Sequence, residues 1–473
     1  MKRFVCCVLF TATAGFTAPA TRADVSDGAF DVVKKQMEQL QQQMQELQEK
    51  LKAMEAEKAA TKPAAVTTPA TSEAVAAPGN SKLAEQLAKE LPGQDALRSM
   101  SNKPIPLFSG GGTYANLSLD VLGLAGTSSR ADVGRVDPGG ANQRGFELQE
   151  AEIFIDGAVD PYFYGAGNFS FGIDENGDTS VEIEEAYLRT TSLPWNLQIQ
   201  AGQYKTAFGR LNLQHTHMWD FDDPSLVNAR FLGTDGLRNP GLQISWLAPT
   251  PFYTVAYLSV QDSQGETASS FLGSSGDVLF GRTLQSRQVQ SAGDLLYVPR
   301  IASSFDLSDE QTLTLGASAA FGPNSSGPDK RTQIYGVDTY WKWKPSNASA
   351  WPFLKWQTEA MYRRYEAGAD AIAGLPTETL NDWGAYSQLV WGFRQGWTAA
   401  LRGDYVNGNS GAFEPDPDRD ERWRISPALT WYLSEFSKLR LQYSFDEIEH
   451  FGPAHSVWMQ VEFVLGAHGA HPY

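Results

Sequence analysis

The sequence predicts an all-β protein: a transmembrane antiparallel β-barrel of about 16 strands, preceded by an α-helical coiled coil. Three observations support this fold class. Long segments alternate apolar residues with polar ones, many of them charged; the connections between these segments are alternately long and short; and an apolar heptad repeat comes before them. Together they divide the chain near residue 106 into a helical N-terminal part and a β-rich C-terminal part.

Residues 1–23 predict a secretory signal peptide. Two basic residues precede an apolar run over residues 4–20, and small residues follow it. The run is short for a membrane anchor, since a spanning helix needs about 20 residues. We therefore expect cleavage after Ala23. Both cysteines, Cys6 and Cys7, lie in this segment, so the mature chain would have neither a disulfide nor a cysteine nucleophile.

Residues 24–55 predict a periplasmic coiled coil. Apolar residues recur at alternating intervals of three and four, and Gln, Glu and Lys occupy the other faces. This narrow apolar seam favours helix pairing over the alternative, a single amphipathic helix on a domain surface. Residues 56–105 are rich in Ala, Pro and Thr and predict a linker. The seam residues are Phe30, Val33, Met37, Leu40, Met44, Leu47, Leu51 and Met54.

The charge of the chain is concentrated in its C-terminal part. The net charge is −17, and residues 106–473 hold 43 acidic and 25 basic side chains. Nucleic-acid binding needs a basic surface, so nucleic acid is not an expected partner. No apolar run after the signal peptide approaches the length of a spanning helix.

The alternation in residues 106–473 favours a membrane barrel over a soluble sandwich. In one segment Leu439, Leu441 and Tyr443 alternate with Lys438 and Arg440. A soluble sandwich also alternates, but its strands are usually about 5 or 6 residues long. Here the segments reach about 10 residues, the polar face carries full charges, and aromatic residues gather near the segment ends, as in barrels that span a membrane.

The connections between the segments predict two different rims. Membrane barrels have short periplasmic turns and long extracellular loops. An even number of strands places both barrel ends on the short-turn rim, which is where a periplasmic coiled coil would have to join. The long connections are expected at 127–143, 205–239, 262–293, 366–380 and 407–420, with tight turns at Asp160–Pro161, Gln395–Gly396 and 434–437.

Two adjacent stretches carry a family resemblance. "EEAYLRTT" at Glu184–Thr191 and "LQIQAGQYKTAFGR" at Leu197–Arg210 resemble the paired-strand motif of the phosphate-selective porins of the O and P type. Ala207 replaces the usual proline, and Arg210–Leu211 replaces the usual Leu-Glu. The C-terminal stretch "VEFVLGAHGAHPY" at residues 461–473 resembles outer-membrane proteins related to that family. The matching positions are Gly202, Gln203, Tyr204, Lys205, Phe208 and Gly209.

The resemblance implies a sixteen-stranded, trimeric channel in the bacterial outer membrane, with its third long loop folded into the lumen. The chain would let small hydrophilic or charged solutes diffuse passively, and would be neither an enzyme nor dependent on a cofactor. Its partners would be two further copies of itself, outer-membrane lipid, small anionic or polar solutes, and peptidoglycan through the coiled coil. Phosphate specificity does not follow, because the domain is strongly acidic, although Lys205, Arg210, Arg230 and Arg238 could line an anion path.

Two alternatives to a general porin remain at the sequence level. The coiled coil could make the chain a structural tether between the outer membrane and the cell wall. The barrel could instead be a metal-specific or substrate-specific uptake channel. A gated receptor with a folded plug is disfavoured, since residues 56–105 are too short and too rich in Ala and Pro to form one.

Alternation places two groups of charged residues in the lumen, on roughly opposite walls. They could form a transverse field that, with the third loop, sets the constriction; equally, they could form separate ion pairs that satisfy one another. The acidic group is Glu150, Glu152 and Asp156, with Glu182 and Glu184; the basic group is Lys355, Arg363, Arg402, Arg422, Arg424, Lys438 and Arg440.

The predicted third loop contains "QHTHMWDFDD" at residues 214–223. His215 and His217 are weak candidates for a metal site, with Asp220, Asp222 and Asp223 as further ligands. A His-x-His pair alone is more often part of an ordinary constriction loop, so we expect no metal here.

Overall fold

The structure is a computed structural model that describes residues 105–466, except 111–112, 159, 174–176 and 347–350. The predicted signal peptide (1–23), coiled coil (24–55) and all but the last residue of the linker (56–105) lie outside the described residues. Among the described residues, no helix is long and apolar enough to cross a membrane.

The described residues form β-strands joined by loops. Two short helices lie in loops, α1 (Val133–Val136) and α2 (Leu226–Leu232). The strands are β1 (Ile105–Gly110), β2 (Thr113–Ser128), β3 (Gly145–Ala158), β4 (Phe163–Ile173), β5 (Thr179–Thr190), β6 (Leu197–Lys205), β7 (Arg238–Leu247), β8 (Tyr253–Gln261), β9 (Val278–Leu279), β10 (Arg282–Thr283), β11 (Leu296–Ser308), β12 (Gln311–Pro323), β13 (Arg331–Trp343), β14 (Phe353–Ala367), β15 (Glu378–Arg394), β16 (Trp397–Gly408), β17 (Arg422–Ser434), β18 (Ser437–Ile448) and β19 (Gly452–Leu465).

Sixteen antiparallel strands of the described residues close into a barrel, which confirms the predicted all-β barrel and its strand count; the predicted coiled coil stays a prediction. From β2 to β8 and from β11 to β19, each strand pairs with the next along the chain. β8 pairs with β11, and β19 pairs back with β2 to close the cylinder. β1 pairs with the first residues of β2, beyond the point where β19 ends. β9 and β10 form a separate small hairpin within a loop.

The two rims of the barrel differ as the sequence predicts. Short turns join β15 to β16 and β17 to β18 at one rim, which is also where β2 begins and β19 ends. The opposite rim carries the long connections at 129–144, 206–237, 262–295, 368–377 and 409–421. We call the first rim the short-turn rim and the second the long-loop rim.

The wall is apolar outside and polar inside. In β15 the outward-facing Trp383, Leu389 and Trp391 are 49%, 44% and 53% exposed, whereas the inward-facing Asp382 and Gln388 are buried. This period-2 alternation repeats around the cylinder, because successive side chains of a strand point to opposite faces. An exposed apolar belt around a closed sheet is what lipid contact requires.

The main hydrophobic core lies inside the barrel. Residues 206–237, which connect β6 to β7 and which we call loop L3, fold into the lumen. The family resemblance implies this inward course. Helix α2 is capped by the preceding Ser225, whose hydroxyl accepts a hydrogen bond from the backbone N–H of Asn228. The core consists of Phe208, Leu211, Trp219, Leu226, Val227, Phe231, Leu232 and Leu237 from L3, together with Ala268, Phe271, Leu296, Val298, Ala320, Ile334, Met361, Tyr386 and Val406.

Candidate functional site in the barrel lumen

Gly209 fixes the point where loop L3 enters the lumen. Its φ of 60° favours glycine, and a Cβ there would lie 2.1 Å from Oε2 of Glu359. The other oxygen of Glu359 accepts a hydrogen bond of 2.7 Å from the backbone N–H of Leu211. The "FG" of the resemblance motif therefore has a physical basis: Phe208 enters the core and Gly209 lets the chain pass close to the wall carboxylate.

Asp223 anchors the middle of loop L3 to the basic side of the lumen. It accepts two hydrogen bonds of 2.8 Å from Arg402, a third of 2.8 Å from Gln442, and pairs with Arg424. Burial raises the pKa of Asp223, but the two guanidinium groups outweigh burial and hold this pKa at about 2. Nearby, burial raises the pKa of Asp137 in the first long loop to about 7.

The other predicted basic residues are also engaged by neighbours. Their partners come partly from the wall and partly from L3, whose backbone carbonyl groups accept from Arg440 and Lys438. This pairing weakens the net field that two uncompensated walls would produce. The ion pairs are Lys355–Asp220 (2.7 Å), Arg363–Asp382 (2.8 Å), Arg402–Asp404 (2.8 Å), Arg422–Asp446 (2.6 Å), Arg424–Asp446 (2.8 Å) and Lys438–Glu462.

A β-bulge brings two consecutive carboxylates into the acidic side of the lumen. The β4–β5 register pairs Asn168 with Glu185 but Phe169 with Ile183, so Glu184 is the extra residue. A bulge interrupts strict alternation, and both Glu184 and Glu185 are buried, with 5% and 6% exposure. Strict alternation would direct only one of these two glutamates into the lumen.

The two histidines of L3 lie against these carboxylates. Nδ1 of His215 is 2.8 Å from Glu184 and 3.6 Å from Glu152, and its Nε2 is 3.0 Å from Glu185. Nδ1 of His217 is 3.2 Å from Glu152. Burial and Lys205 lower the pKa of His215, but the carboxylates of Glu152 and Glu184 outweigh them and hold it well above its ordinary value.

The three aspartates grouped with these histidines at the sequence level lie elsewhere. Asp220 pairs with Lys355, and Asp223 pairs with Arg402 and Arg424. The backbone N–H of Asp222 donates to Gln442 at 3.1 Å. The loop therefore turns its histidines and its aspartates toward different parts of the wall, and the predicted His–Asp ligand set is not assembled.

Lys205 ends β6 beside the acidic group. Its backbone N–H donates to Glu185 at 2.8 Å, and its Nζ is 3.7 Å from Oε1 of Glu184. Arg238, directly opposite on β7, pairs with Glu184 and lies 2.5 Å from Glu182. Two cations thus share the same oxygen of Glu184 and leave its other oxygen facing His215.

The remaining predicted site residues are spread along the lumen. Ser170 donates a hydrogen bond of 3.0 Å to Glu150. Asp156 lies on the same face of β3 but closer to the short-turn rim, opposite Asn116. The guanidinium of Arg210 lies over the ring of Tyr340, 3.9 Å from its centroid.

Four cavities follow one another from the long-loop rim to the short-turn rim. Cavity A (≈ 330 Å³) and cavity B (≈ 260 Å³) share Gly134 and Pro138 in their walls. Cavity B and cavity C (≈ 50 Å³) share Lys205. Cavity C and cavity D (≈ 560 Å³) share Leu213 and Tyr257. Cavity C, which Lys205 lines, has the smallest volume of the four.

The charged lining of the series changes along its length. Cavity A is lined by Arg135, Arg230, Arg363 and Arg422 with Asp418 and Asp420. Cavity B is lined by Glu150, Glu184 and Lys205, and cavity C by Glu185, Arg189 and Lys205. Cavity D contains Arg210, Arg300 and Asp338. Both signs of charge are therefore present at each step.

A relative in Aquifex aeolicus (strain VF5) is 34% identical to this chain over 353 residues, which cover 70% of the chain and 71% of the relative. The chain belongs to the family of that protein. The relative is described as an uncharacterized protein, so this membership carries no function with it. No family model matches the chain.

Among solved structures, the outer membrane channel DcaP of Acinetobacter baumannii is similar in fold. Its TM-score is 0.52 at 13% identity, covering 75% of this chain and 98% of that one. Salmonella typhi OmpF, in complex with daunomycin, has a TM-score of 0.47 at 11% identity over 75% and 98% of the two chains. The membership in the phosphate-selective O and P type suggested by the resemblance stays a prediction.

Several lumen residues were not identified from the sequence. Glu185 was missed because the bulge in β5 has no local sequence signal. Asp137 and Asp446 were missed because loop and strand aspartates are common; only the buried arginines of β17 indicate that carboxylates must lie nearby. Tyr257 and Arg189, which line cavity C, lie on inward faces that alternation could have revealed.

Proposed function

We propose that this chain is an outer-membrane porin, a passive diffusion channel for small hydrophilic or charged solutes. The observation that carries the proposal is the series of cavities A to D, which share wall residues from one rim to the other inside a barrel with an apolar outer face. A lumen lined by paired charges supports passage of solutes that keep much of their hydration. The proposal includes location in the bacterial outer membrane, with the N-terminal segment in the periplasm.

The constriction is proposed to lie at cavity C, where L3 meets β6. Lys205, Glu185 and Arg189 line it, and a volume of ≈ 50 Å³ accommodates only a few water molecules at about 10–15 Å³ each. Permeating solutes would pass in contact with both a carboxylate and a cation. Of the two predicted walls, the acidic one lies closest to this point, and the basic one mainly holds L3 in place.

The proposal makes the channel a homotrimer, with the coiled coil as a further contact between chains or with peptidoglycan. Its barrel would contact outer-membrane lipid, and its solutes would be small anionic or polar molecules. No catalytic role and no resident cofactor are proposed for the lumen residues.

Single-channel conductance in a planar lipid bilayer tests the channel directly. Purified, folded protein should produce discrete conductance steps, in groups of three if the channel is trimeric. A liposome swelling series with sugars of increasing size should show a steep size cut-off, because cavity C is narrow. Failure of correctly folded protein to conduct would refute the channel and leave the structural tether as the function.

A further inference from the structure

We propose that Glu152, Glu184 and His215 form a binding site for a divalent transition-metal cation of the zinc type. One oxygen of each carboxylate and one imidazole nitrogen lie within 4.8 Å of one another. Nδ1 of His215 is 2.8 Å from Oε2 of Glu184 and 3.6 Å from Oε1 of Glu152. Ligand atoms about 2.1 Å from a tetrahedral zinc ion lie about 3.4 Å apart, which falls between these two distances.

His215 is held as metal-binding histidines usually are. Its Nε2 is 3.0 Å from Oε2 of Glu185, so a proton on Nε2 would donate to a carboxylate. That bond places the lone pair of Nδ1 toward Glu184 and Glu152. A carboxylate that orients the outer nitrogen of a histidine is typical of metal sites. The bulge in β5 supplies both carboxylates, Glu184 on the Nδ1 side and Glu185 on the Nε2 side.

Asn168 provides an independent indication of a ligand. Its side chain is fully buried, and its Oδ1 has no hydrogen-bond partner among the described residues. Its Nδ2 is 3.1 Å from Nδ1 of His215 and 3.2 Å from Glu184. A half-turn of the amide exchanges the two atoms and would direct the unpartnered oxygen at the same point, where it could serve as a fourth ligand.

The convergence of two carboxylate oxygens and an imidazole nitrogen favours a positive charge between them. A proton on His215 is the simplest candidate, and a metal ion is the other. Imidazole with carboxylate and amide oxygens suits zinc and similar dications better than calcium or magnesium, which prefer oxygen ligands alone. His217, which is 3.2 Å from Glu152, adds a second imidazole to the surroundings and strengthens that preference.

The site opens toward the proposed solute path. Glu184 lines cavity B together with Lys205 and Trp219, so a cation entering from the long-loop rim would meet it before the constriction. Lys205 and Arg238 both engage Oε1 of Glu184, which leaves Oε2 available to the metal. The role of this cation in the channel rests on the proposed function, whereas the binding itself does not.

Isothermal titration of the folded full-length protein in detergent with ZnCl₂ tests the binding. The wild type should bind one zinc ion at this site, and CaCl₂ should bind much more weakly. His215→Gln should weaken zinc binding at this site by more than about 10-fold, the loss expected from removing even an outer partner of a metal ligand. Glu152→Gln should do the same, and provides a second test if His215→Gln fails to fold. Folding is checked by the heat-dependent shift of the barrel in gel electrophoresis.

His450→Gln is the matched control. His450 lies in a separate cluster with Asp420 and Glu449, which is largely exposed, and its loss should leave the L3 site intact. The inference is overturned if wild-type protein binds no zinc, or if His215→Gln and Glu152→Gln bind it as tightly as wild type. Zinc binding by folded protein that does not conduct would support the site and refute the channel. Conduction by protein that binds no zinc would support the channel and refute the metal site.

Discussion

Replacing Asp223 by alanine should release loop L3 from the basic wall. Asp223 is fully buried, and its carboxylate is shared by Arg402, Arg424 and Gln442. Its removal leaves two buried guanidinium groups with Asp404, Asp446 and, 3.4 Å from Arg424, Asp137 as counter-charges. Removing one partner of a buried ion pair usually costs about 3–5 kcal/mol. Because about 1.4 kcal/mol corresponds to a tenfold change in an equilibrium constant, the detached population of L3 should rise by about two to three and a half orders of magnitude.

Trypsin cleavage after Arg210 or Arg230 within the folded barrel measures that population. When a loop opens and closes quickly, its cleavage rate follows the fraction that is open. Mass spectrometry of the fragments distinguishes cleavage in L3 from cleavage elsewhere. Asp220→Ala is the matched control, since the Lys355–Asp220 pair is partly exposed and exposed pairs contribute about 0–1 kcal/mol.

The release of L3 has a predicted pH dependence, which is measured with a protease that is active in acid, such as pepsin, in place of trypsin. The pKa of Asp223 is held at about 2 in the folded protein, below the value of about 3.9 for an unperturbed aspartate. Its contribution is therefore present above pH of about 4 and is lost as the pH falls toward 2. Cleavage of Asp223→Ala within 10-fold of wild type, or equal cleavage of Asp220→Ala and Asp223→Ala, would refute the view that Asp223 anchors L3.

Three further predictions concern the entry of L3, the constriction and the lipid face. Gly209→Ala should displace Glu359 and raise trypsin cleavage of L3, whereas Gly403→Ala, where an added Cβ meets open space, should not; equal cleavage in both would contradict the role of Gly209. Lys205→Ala should shift the reversal potential in a KCl gradient toward cation selectivity, because it leaves Glu185 beside cavity C; Lys344→Ala on the short-turn rim is the control, and an unchanged potential would remove Lys205 from the path. Leu401→Arg, at an outward position 53% exposed in the middle of β16, should destabilise the barrel in vesicles by about 2–4 kcal/mol. Ser410→Arg, at an exposed loop position, should not, and a stable Leu401→Arg barrel would argue against lipid at this face.

The wall could be predicted from the sequence because its physical cause is local. A strand that separates lipid from a polar lumen must alternate, and β18 shows this directly in Lys438–Ser444. The rims followed from connection lengths, which are visible in the sequence. The faces of Glu152 and of the arginines of β17 followed from the same alternation, whereas that of Lys205 did not, because the neighbouring Tyr204 is also buried.

The partners inside the lumen could not be predicted in the same way. Alternation fixes the face of a residue but not its height, so Asp223 could not be matched with Arg402, 179 residues away. The sequence grouped His215 with the aspartates that follow it, yet the chain bends between them, and the ligands that reach His215 come from β3 and β5. The bulge at Glu184 changes the face of one residue without any nearby glycine or proline to indicate it.

The position of the apolar core inside the barrel constrains the order of assembly. Leu296, Ala320, Met361, Tyr386 and Val406, which cover L3, all follow it in the chain. The loop therefore has no complete surface to bury against until the later strands have curled around it. Contacts between residues far apart in the sequence form slowly, because the chain loses loop-closure entropy before the contacts contribute any stabilisation. Closure of the cylinder and docking of L3 should accordingly occur as one cooperative step. The strands that follow L3 in the chain would then pack against the loop as they pair with one another.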